Sequence, residues 1–197
     1  EEAASALPKG SMPSRQNGSI CGSNPNSVFI GDPFSDSGLG VYHKPIASLV
    51  EGYLPGKAKD ISGTGFENVL KEIDKGHPVI VWATMNMAEP SLIATWYDRY
   101  GNKVKWIAPE HAFLLTGYTG TDVIVNDPYT GKRQIYSKDT FKSRWESMGS
   151  QAVTVSDSIS GKVVVTDVTS LTDVKSVLGI TDADSSKDSA PAIKKAE

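Results

Sequence analysis

The chain has 197 residues, of which 39% are hydrophobic and 22% charged, a composition typical of one globular domain or of one domain with a tail. A formal net charge of -3 argues against a nucleic-acid partner, and the longest apolar run, residues 79–83, is far too short to span a membrane. The single cysteine, Cys21, excludes an internal disulfide and any multi-cysteine zinc site, and it leaves at most one thiol nucleophile in the sequence.

Composition divides the chain into three parts. Residues 1–23 show no signal-peptide pattern and are predicted to form an N-terminal loop or linker, and the whole stretch 8–40 is rich in Gly, Pro, Ser and Asn. Residues 24–156 carry the periodic apolar patterns of a folded domain. Residues 157–197 are dominated by Ser, Thr, Asp and Lys, so we predict a polar C-terminal tail that is largely disordered.

Two helices are predicted in the first half of the folded part. A first-turn proline and an apolar stripe at helical spacing predict a helix over residues 45–53. Thr64 and Glu67 have the spacing of a capping box, in which each side chain accepts a hydrogen bond from a free backbone N–H. The apolar face from Phe66 to Ile73 then predicts a second helix that Gly76 ends.

Strands dominate the second half. Residues 78–83 are apolar on both faces, as in a central strand, and a polar segment around Trp96, Tyr97 and Tyr100 follows. Further strands are predicted over residues 104–107, 112–118, 122–126, 132–136 and 151–155, with a short helix over 138–146 before the last of them. Helices first and an antiparallel meander afterwards predict an α+β domain.

His111 and Asp127 are the candidate site residues. His111 opens an apolar strand, and Asp127 stands 16 residues later, at the end of the strand that returns beside it. A hairpin centred near Gly120 places both at one edge of the sheet, where a carboxylate can orient an imidazole and stabilise its protonated form. By type alone, His111 could instead be a core or edge histidine, and Asp127 could simply begin the Asp-Pro-Tyr-Thr-Gly turn; the turn and the pair are compatible.

The other two histidines lie at junctions between elements. His43 precedes the first predicted helix, and His77 lies between Gly76 and Pro78. For both, a structural role is the favoured interpretation.

The segment from His111 to Tyr118, followed by Asn126-Asp127-Pro128, resembles cysteine-peptidase family thirty-nine. This family comprises the bacteriocin-processing peptidases that cleave double-glycine leaders, together with stand-alone bacterial relatives. Other segments resemble the stand-alone branch and extend the similarity over residues 24–155: Asn24 to Pro33, Gly38 to Tyr42, Lys75 to Trp82, Phe141 with Trp145, and Gln151 to Val153. The resemblance implies a papain-like fold and thiol-dependent proteolysis, with His111 as general base and Asp127 as its orienting partner.

Cys21 fits this resemblance poorly. Family members carry the catalytic cysteine at the start of an N-terminal helix, a few residues after a glutamine that stabilises the oxyanion, and Gln16 and Cys21 follow that order. The sequence after Cys21, Ser23-Asn24-Pro25-Asn26, cannot propagate a helix. We therefore expect Cys21 to be incidental and the catalytic cysteine helix to lie upstream of Glu1, so that the 197 residues would form an incomplete peptidase.

Three functional hypotheses remain at this stage. The chain is a peptidase domain acting on a peptide or protein substrate, a non-catalytic peptide-binding module of a bacterial surface or secreted protein, or a purely structural module. Trp96 to Tyr100 and Trp106 are candidates to line a cleft, or are ordinary core aromatics. No cofactor or metal is implied, and family habit favours an extracellular or cell-surface location.

Overall fold

The computed structural model describes residues 2–156. The described helices are α1 (Glu2–Ala6), α2 (His43–Tyr53), α3 (Phe66–Asp74) and α4 (Lys138–Ser147), with a 3-10 turn at Met85–Met87. The described strands are β1 (Lys9–Gly10), β2 (Ser14–Gln16), β3 (Ser19–Cys21), β4 (Phe29–Ile30), β5 (Ala58–Asp60), β6 (Val79–Thr84), β7 (Ser91–Tyr97), β8 (Lys103–Ala108), β9 (Glu110–Tyr118), β10 (Asp122–Asp127), β11 (Lys132–Ser137) and β12 (Ala152–Val155).

A six-stranded antiparallel sheet forms the centre of the fold, in the order β11-β10-β9-β6-β12-β5. Strand β6 lies between β9 and β12, as its apolar character on both faces predicts. Its side chains alternate between the two faces, so Val79 and Val81 face one side and Trp82 the other. The α+β class and the antiparallel meander predicted from the sequence are confirmed.

One face of this sheet is covered by α3 and α4. The apolar stripe of α3 is buried, and Phe66 contacts both Phe141 and Trp145 of α4, with ring centroids 6.3 and 5.2 Å apart. Phe113 of β9 packs into the same layer, 5.9 Å from Phe141. This core fixes the strands that carry the candidate site.

Helix α2 lies on the other face of the sheet. It packs Ile46 and Ala47 against Trp82, whose indole N–H donates to the backbone oxygen of Val41 at 2.9 Å. The hydrogen bond fixes the loop before α2 to the central strand.

The second sheet contains a strand that the sequence pattern did not predict. The strand order of this sheet is β2-β3-β7-β8. The strand that was not predicted is β7, which contains Trp96 and Tyr97 of the polar segment described above. A register shift between Leu92 and Ala94 breaks the alternation, and both Leu92 and Ile93 face solvent. A strand is recognised by the alternation of apolar and polar residues, and a bulge shifts this alternation by one residue, so the pattern is lost.

The predicted capping box at the start of α3 is wrong. The helix begins at Phe66, and Gly65 occupies the N-cap position without a side-chain hydrogen bond. The Thr64 hydroxyl donates to the carbonyl of Ile61 at 2.8 Å. Its hydrogen is therefore used to close the preceding turn, and the helix N–H groups receive no side-chain cap from it.

The first 23 residues contribute short elements. Strand β1 pairs in parallel with β4, and β3 pairs with β7 through Cys21 and Tyr97. The domain boundary predicted at residue 23 stays a prediction, and the predicted polar tail, 157–197, lies outside the described residues. Within residues 2–156, no helix combines the length and the apolarity needed to cross a membrane.

Candidate active site

Strands β9 and β10 bring His111 and Asp127 together. In the register of the hairpin, Asn126 lies opposite Leu114, so continuing by one step places Asp127 opposite Phe113 and makes His111 its diagonal neighbour on the same face. The Nε2 atom of His111 lies 2.6 Å from Oδ1 of Asp127. This is a hydrogen bond between two side chains at one edge of the sheet.

The turn after β10 holds the carboxylate of Asp127 in place. The backbone N–H of Tyr129 donates to Oδ1 at 2.9 Å, and the Thr130 hydroxyl donates to Oδ2 at 3.1 Å. The Asp127 side chain is only 4% exposed. Asp127 therefore has both roles considered above, because it begins the turn and binds the imidazole.

These contacts decide the charge of Asp127. Burial by itself would raise the pKa of this carboxyl, but hydrogen bonds from His111, from the Tyr129 N–H and from Thr130, together with the charge of the imidazolium, lower the pKa below its ordinary value of 3.8. An ionised carboxylate only accepts hydrogen bonds, so Nε2 of His111 carries the proton in the pair. When the imidazole is neutral, the free lone pair is on Nδ1, and no described residue donates a hydrogen bond to that atom.

The lowered pKa of Asp127 predicts a pH-dependent stability difference between the native chain and Asp127→Asn. A carboxyl with a depressed pKa stabilises the folded state above the ordinary value of 3.8, and this contribution is lost as the pH falls through the folded-state pKa. Urea unfolding at a series of pH values should therefore give the native chain a higher free energy of unfolding than Asp127→Asn at neutral pH. This difference should shrink below pH 3.8. A difference that stays constant from neutral to acidic pH would contradict the assignment.

Aromatic rings surround the imidazole. Phe113 contacts His111 edge to face with ring centroids 4.5 Å apart, and the Tyr129 ring is nearly perpendicular to the imidazole with centroids 6.3 Å apart. The His111 side chain is 12% exposed, whereas Tyr129 is 74% exposed. The imidazole is thus held on its buried side by the core and bordered by an exposed phenol.

The other two histidines also have carboxylate partners, which the sequence analysis missed. Nδ1 of His43 lies 2.6 Å from Oδ2 of Asp60, and Nδ1 of His77 lies 2.9 Å from Oε2 of Glu72. Both pairs are more exposed than the pair at Asp127. His43 and Asp60 are 17 residues apart and meet because α2 packs on β5. No local pattern in the sequence predicts this packing.

Cys21 does not join His111 in the structure. It ends β3, opposite Tyr97 in the second sheet, and β3 has only three residues. Its side chain lines a cleft of about 620 Å³ together with Gln16, Arg99 and Tyr100, and neither His111 nor Asp127 borders that cleft. The thiol thus lacks both the helix N-terminus and the imidazole that would activate it.

The candidate cleft aromatics separate into two groups. Trp96 and Trp106 are buried in the second sheet, 1% and 4% exposed, and pack in a small core with Val104. Tyr100 is exposed and borders the cleft at Cys21. The two tryptophans are therefore core residues.

No group of three or more His, Cys, Asp or Glu side chains within residues 2–156 is arranged to hold a metal ion.

Comparison with known proteins identifies the family. The model of the Peptidase_C39 like family matches residues 2–153. The chain belongs to this C39-like peptidase family. The resemblance drawn from the residues around His111 and Asp127 is confirmed at the level of the family.

Two relatives extend the comparison. Uncharacterized protein YvpB of Bacillus subtilis (strain 168) is 36% identical over 132 residues, which is 67% of this chain and 52% of YvpB, so the chain spans about half the length of that relative. A Bacillus anthracis protein whose crystal structure is described as C39-like superposes with a TM-score of 0.68 at 32% identity, over 78% of this chain and 77% of that one. The fold is therefore that of the papain-like C39-like peptidases.

Proposed function

We propose that this C39-like domain hydrolyses peptide bonds by thiol catalysis, with His111 as general base and Asp127 as its orienting partner. The observation that carries the proposal is the 2.6 Å hydrogen bond from Nε2 of His111 to Asp127, which leaves Nδ1 as the basic atom. Membership of the C39-like family supports the same chemistry.

In the proposed reaction, Nδ1 takes the proton of a thiol, and the thiolate attacks the carbonyl carbon of the substrate peptide. The imidazolium that forms lies against the ionised carboxylate of Asp127, which stabilises the positive charge. As the C–N bond breaks, the same Nδ1–H gives its proton to the leaving amine and a thioester is left on the enzyme. Water, deprotonated by Nδ1, then attacks the thioester, which releases the carboxylic acid and regenerates the thiol. Asp127 remains ionised throughout, because its lowered pKa opposes protonation.

The thiol in this proposal is not that of Cys21. Since Cys21 ends a short strand in the second sheet and borders a different cleft, we propose that a segment upstream of Glu1 supplies the nucleophile. That segment would have to place a thiol beside Nδ1 of His111.

Thiol labelling of the 197-residue chain tests the exclusion of Cys21. Iodoacetamide should alkylate Cys21 at the same rate, within about twofold, in the native chain and in His111→Ala, because no imidazole activates this thiol. His43→Ala serves as the matched control for loss of a histidine. If His111→Ala alone slows the alkylation about tenfold or more, Cys21 is paired with His111 and the proposal is wrong.

A peptide-binding module is the second candidate function. The separation of Cys21 from His111 favours it, because a cleft without a nucleophile can still bind an extended peptide. Assaying a peptide library with the product of the full reading frame separates the two. Turnover that is lost in His111→Ala supports the peptidase, whereas binding without turnover supports the module.

An extracellular or cell-surface location is part of the proposal. Immunodetection of the intact protein in cell fractions tests it.

A further inference from the structure

Glu110 precedes His111 on β9 and faces the opposite side of the sheet. In the pairing of β6 with β9, Glu110 lies opposite Thr84 and His111 opposite Ala83. Because successive strand residues alternate, the imidazole faces Asp127 and the α3–α4 side, whereas the carboxyl of Glu110 faces the loop before α2.

The chain passes very close to this carboxyl. A Cβ atom on Gly40 would lie 2.9 Å from Oε2 of Glu110 and 3.4 Å from the ring of Trp106. Gly40 has φ of +144°, and its carbonyl accepts a hydrogen bond from the N–H of Ile30 at 2.8 Å, which holds the loop in place. Only glycine allows the backbone to approach Glu110 so closely in this conformation.

An aromatic stack is the other neighbour of Glu110. The ring of Tyr42 lies parallel to Trp106 with centroids 5.5 Å apart, and the charge of Glu110 contributes to the raised pKa of the Tyr42 phenol, after the larger effect of burial. Trp106 and Thr84, from β8 and β6, carry no charge. Tyr42 is therefore the titratable group that the described residues bring against Glu110 from the elements packed on it.

Glu110 has none of the hydrogen bonds that stabilise the charge of Asp127. No group within residues 2–156 donates a hydrogen bond to its carboxyl, whereas Asp127 accepts three. Burial raises the pKa of Glu110 to about 8, because an unpartnered carboxylate among aromatic rings is poorly solvated. At neutral pH this side chain is a neutral carboxylic acid.

We propose that Glu110 is a positioning residue for His111 that works only in its neutral form. The neutral carboxyl lets the loop at Gly40 and the Tyr42–Trp106 stack close over the start of β9, and this holds the main chain that carries the imidazole. Loss of its proton to solvent leaves a carboxylate that must be hydrated, so the loop moves away and the start of β9 loosens. The inference concerns the geometry of His111 and rests on the proposed function only for its relevance to catalysis.

Nuclear magnetic resonance of the full 197-residue chain tests the inference without any turnover. With the glutamate carboxyl carbons and the histidine ring nitrogens labelled, the carboxyl signal that is missing in Glu110→Gln should titrate near pH 8. The His111 ring signals should show an inflection at the same pH, absent in Glu110→Gln. Glu146→Gln, which changes an exposed glutamate, should keep that inflection.

Two results would overturn the inference. One is a Glu110 carboxyl signal that titrates near the ordinary pKa of 4.5. The other is a set of His111 ring signals that do not change at the pH where Glu110 titrates. If Glu110→Gln fails to fold, the native chain alone decides both points, because sequential assignment identifies the Glu110 carboxyl signal independently of its titration and the His111 signals are followed in the same sample. Failure here would leave the peptidase proposal standing, since neither measurement depends on hydrolysis.

Thermal unfolding provides an independent readout. A carboxyl with a raised pKa stabilises the folded state fully below its ordinary value of 4.5, and this contribution is lost as the pH rises to the folded-state value of about 8. The Tm of Glu110→Gln relative to that of the native chain should therefore increase from pH 5 to pH 8 and level off above. A Tm difference that does not change with pH would contradict the neutral carboxyl.

Discussion

Asp127→Ala is expected to lower the free energy of unfolding by about 3–5 kcal/mol at neutral pH, because each buried hydrogen-bonding group left without its partner costs about 1–3 kcal/mol. The substitution leaves three donors without an acceptor: Nε2–H of His111, the backbone N–H of Tyr129 and the hydroxyl of Thr130. Urea unfolding at pH 7 measures the loss. A loss below about 1 kcal/mol would mean that the pair contributes no more than an exposed one.

Asp127→Asn is the matched control for this prediction. The N–H of Tyr129 points at Oδ1 and requires an acceptor there, so the amide oxygen should take that position and still accept from His111. We expect a smaller loss, about 1–2 kcal/mol, because the bonds from Tyr129 and His111 remain, whereas the charge and the bond from the Thr130 hydroxyl to Oδ2 are lost. If Asp127→Asn is as destabilising as Asp127→Ala, the amide has turned the other way and the turn does not fix the oxygen.

Phe113→Ala is expected to lower the free energy of unfolding by about 3–5 kcal/mol and to increase the mobility of the His111 side chain. The phenyl ring is 1% exposed and contacts Phe141, Tyr136 and the imidazole of His111. Its removal leaves a cavity between the core and the site. Urea unfolding measures the change in the free energy of unfolding, and line broadening of the His111 ring signals measures the mobility of the imidazole.

Phe113→Leu separates the two effects. It keeps most of the buried apolar volume but removes the edge-to-face contact with His111, so we expect a smaller loss, about 1–2 kcal/mol, with broadening retained. Sharp His111 signals in Phe113→Ala would contradict the claim that the core ring holds the imidazole.

The regular part of the fold could be predicted from the sequence because its patterns are local. Strand β6 is apolar on both faces, and the stripe from Phe66 to Ile73 has helical spacing, so burial follows directly from the period. Strand β7 could not be predicted in this way. Its bulge at Ile93 breaks the alternation, and its stability comes from pairing with β3 and β8, which are distant in sequence.

The candidate site, like the fold, could be predicted only in part from the sequence. The meeting of His111 with Asp127 could be predicted, because a hairpin brings residues on either side of its turn to one edge. The supporting bonds from Tyr129 and Thr130 depend on the backbone path of the turn, and the contact of Glu110 with the loop at Gly40 joins positions 70 residues apart. Such contacts have no periodic signature.

The protonation of His111 tests the central claim most directly. In the 197-residue chain, nitrogen chemical shifts of the labelled imidazole at a pH where it is neutral should show the proton on Nε2, bound to Asp127, and the lone pair on Nδ1. Titration to lower pH should then add the second proton at Nδ1. A neutral imidazole with its proton on Nδ1 would contradict the account, because the atom proposed as the base would already carry a proton.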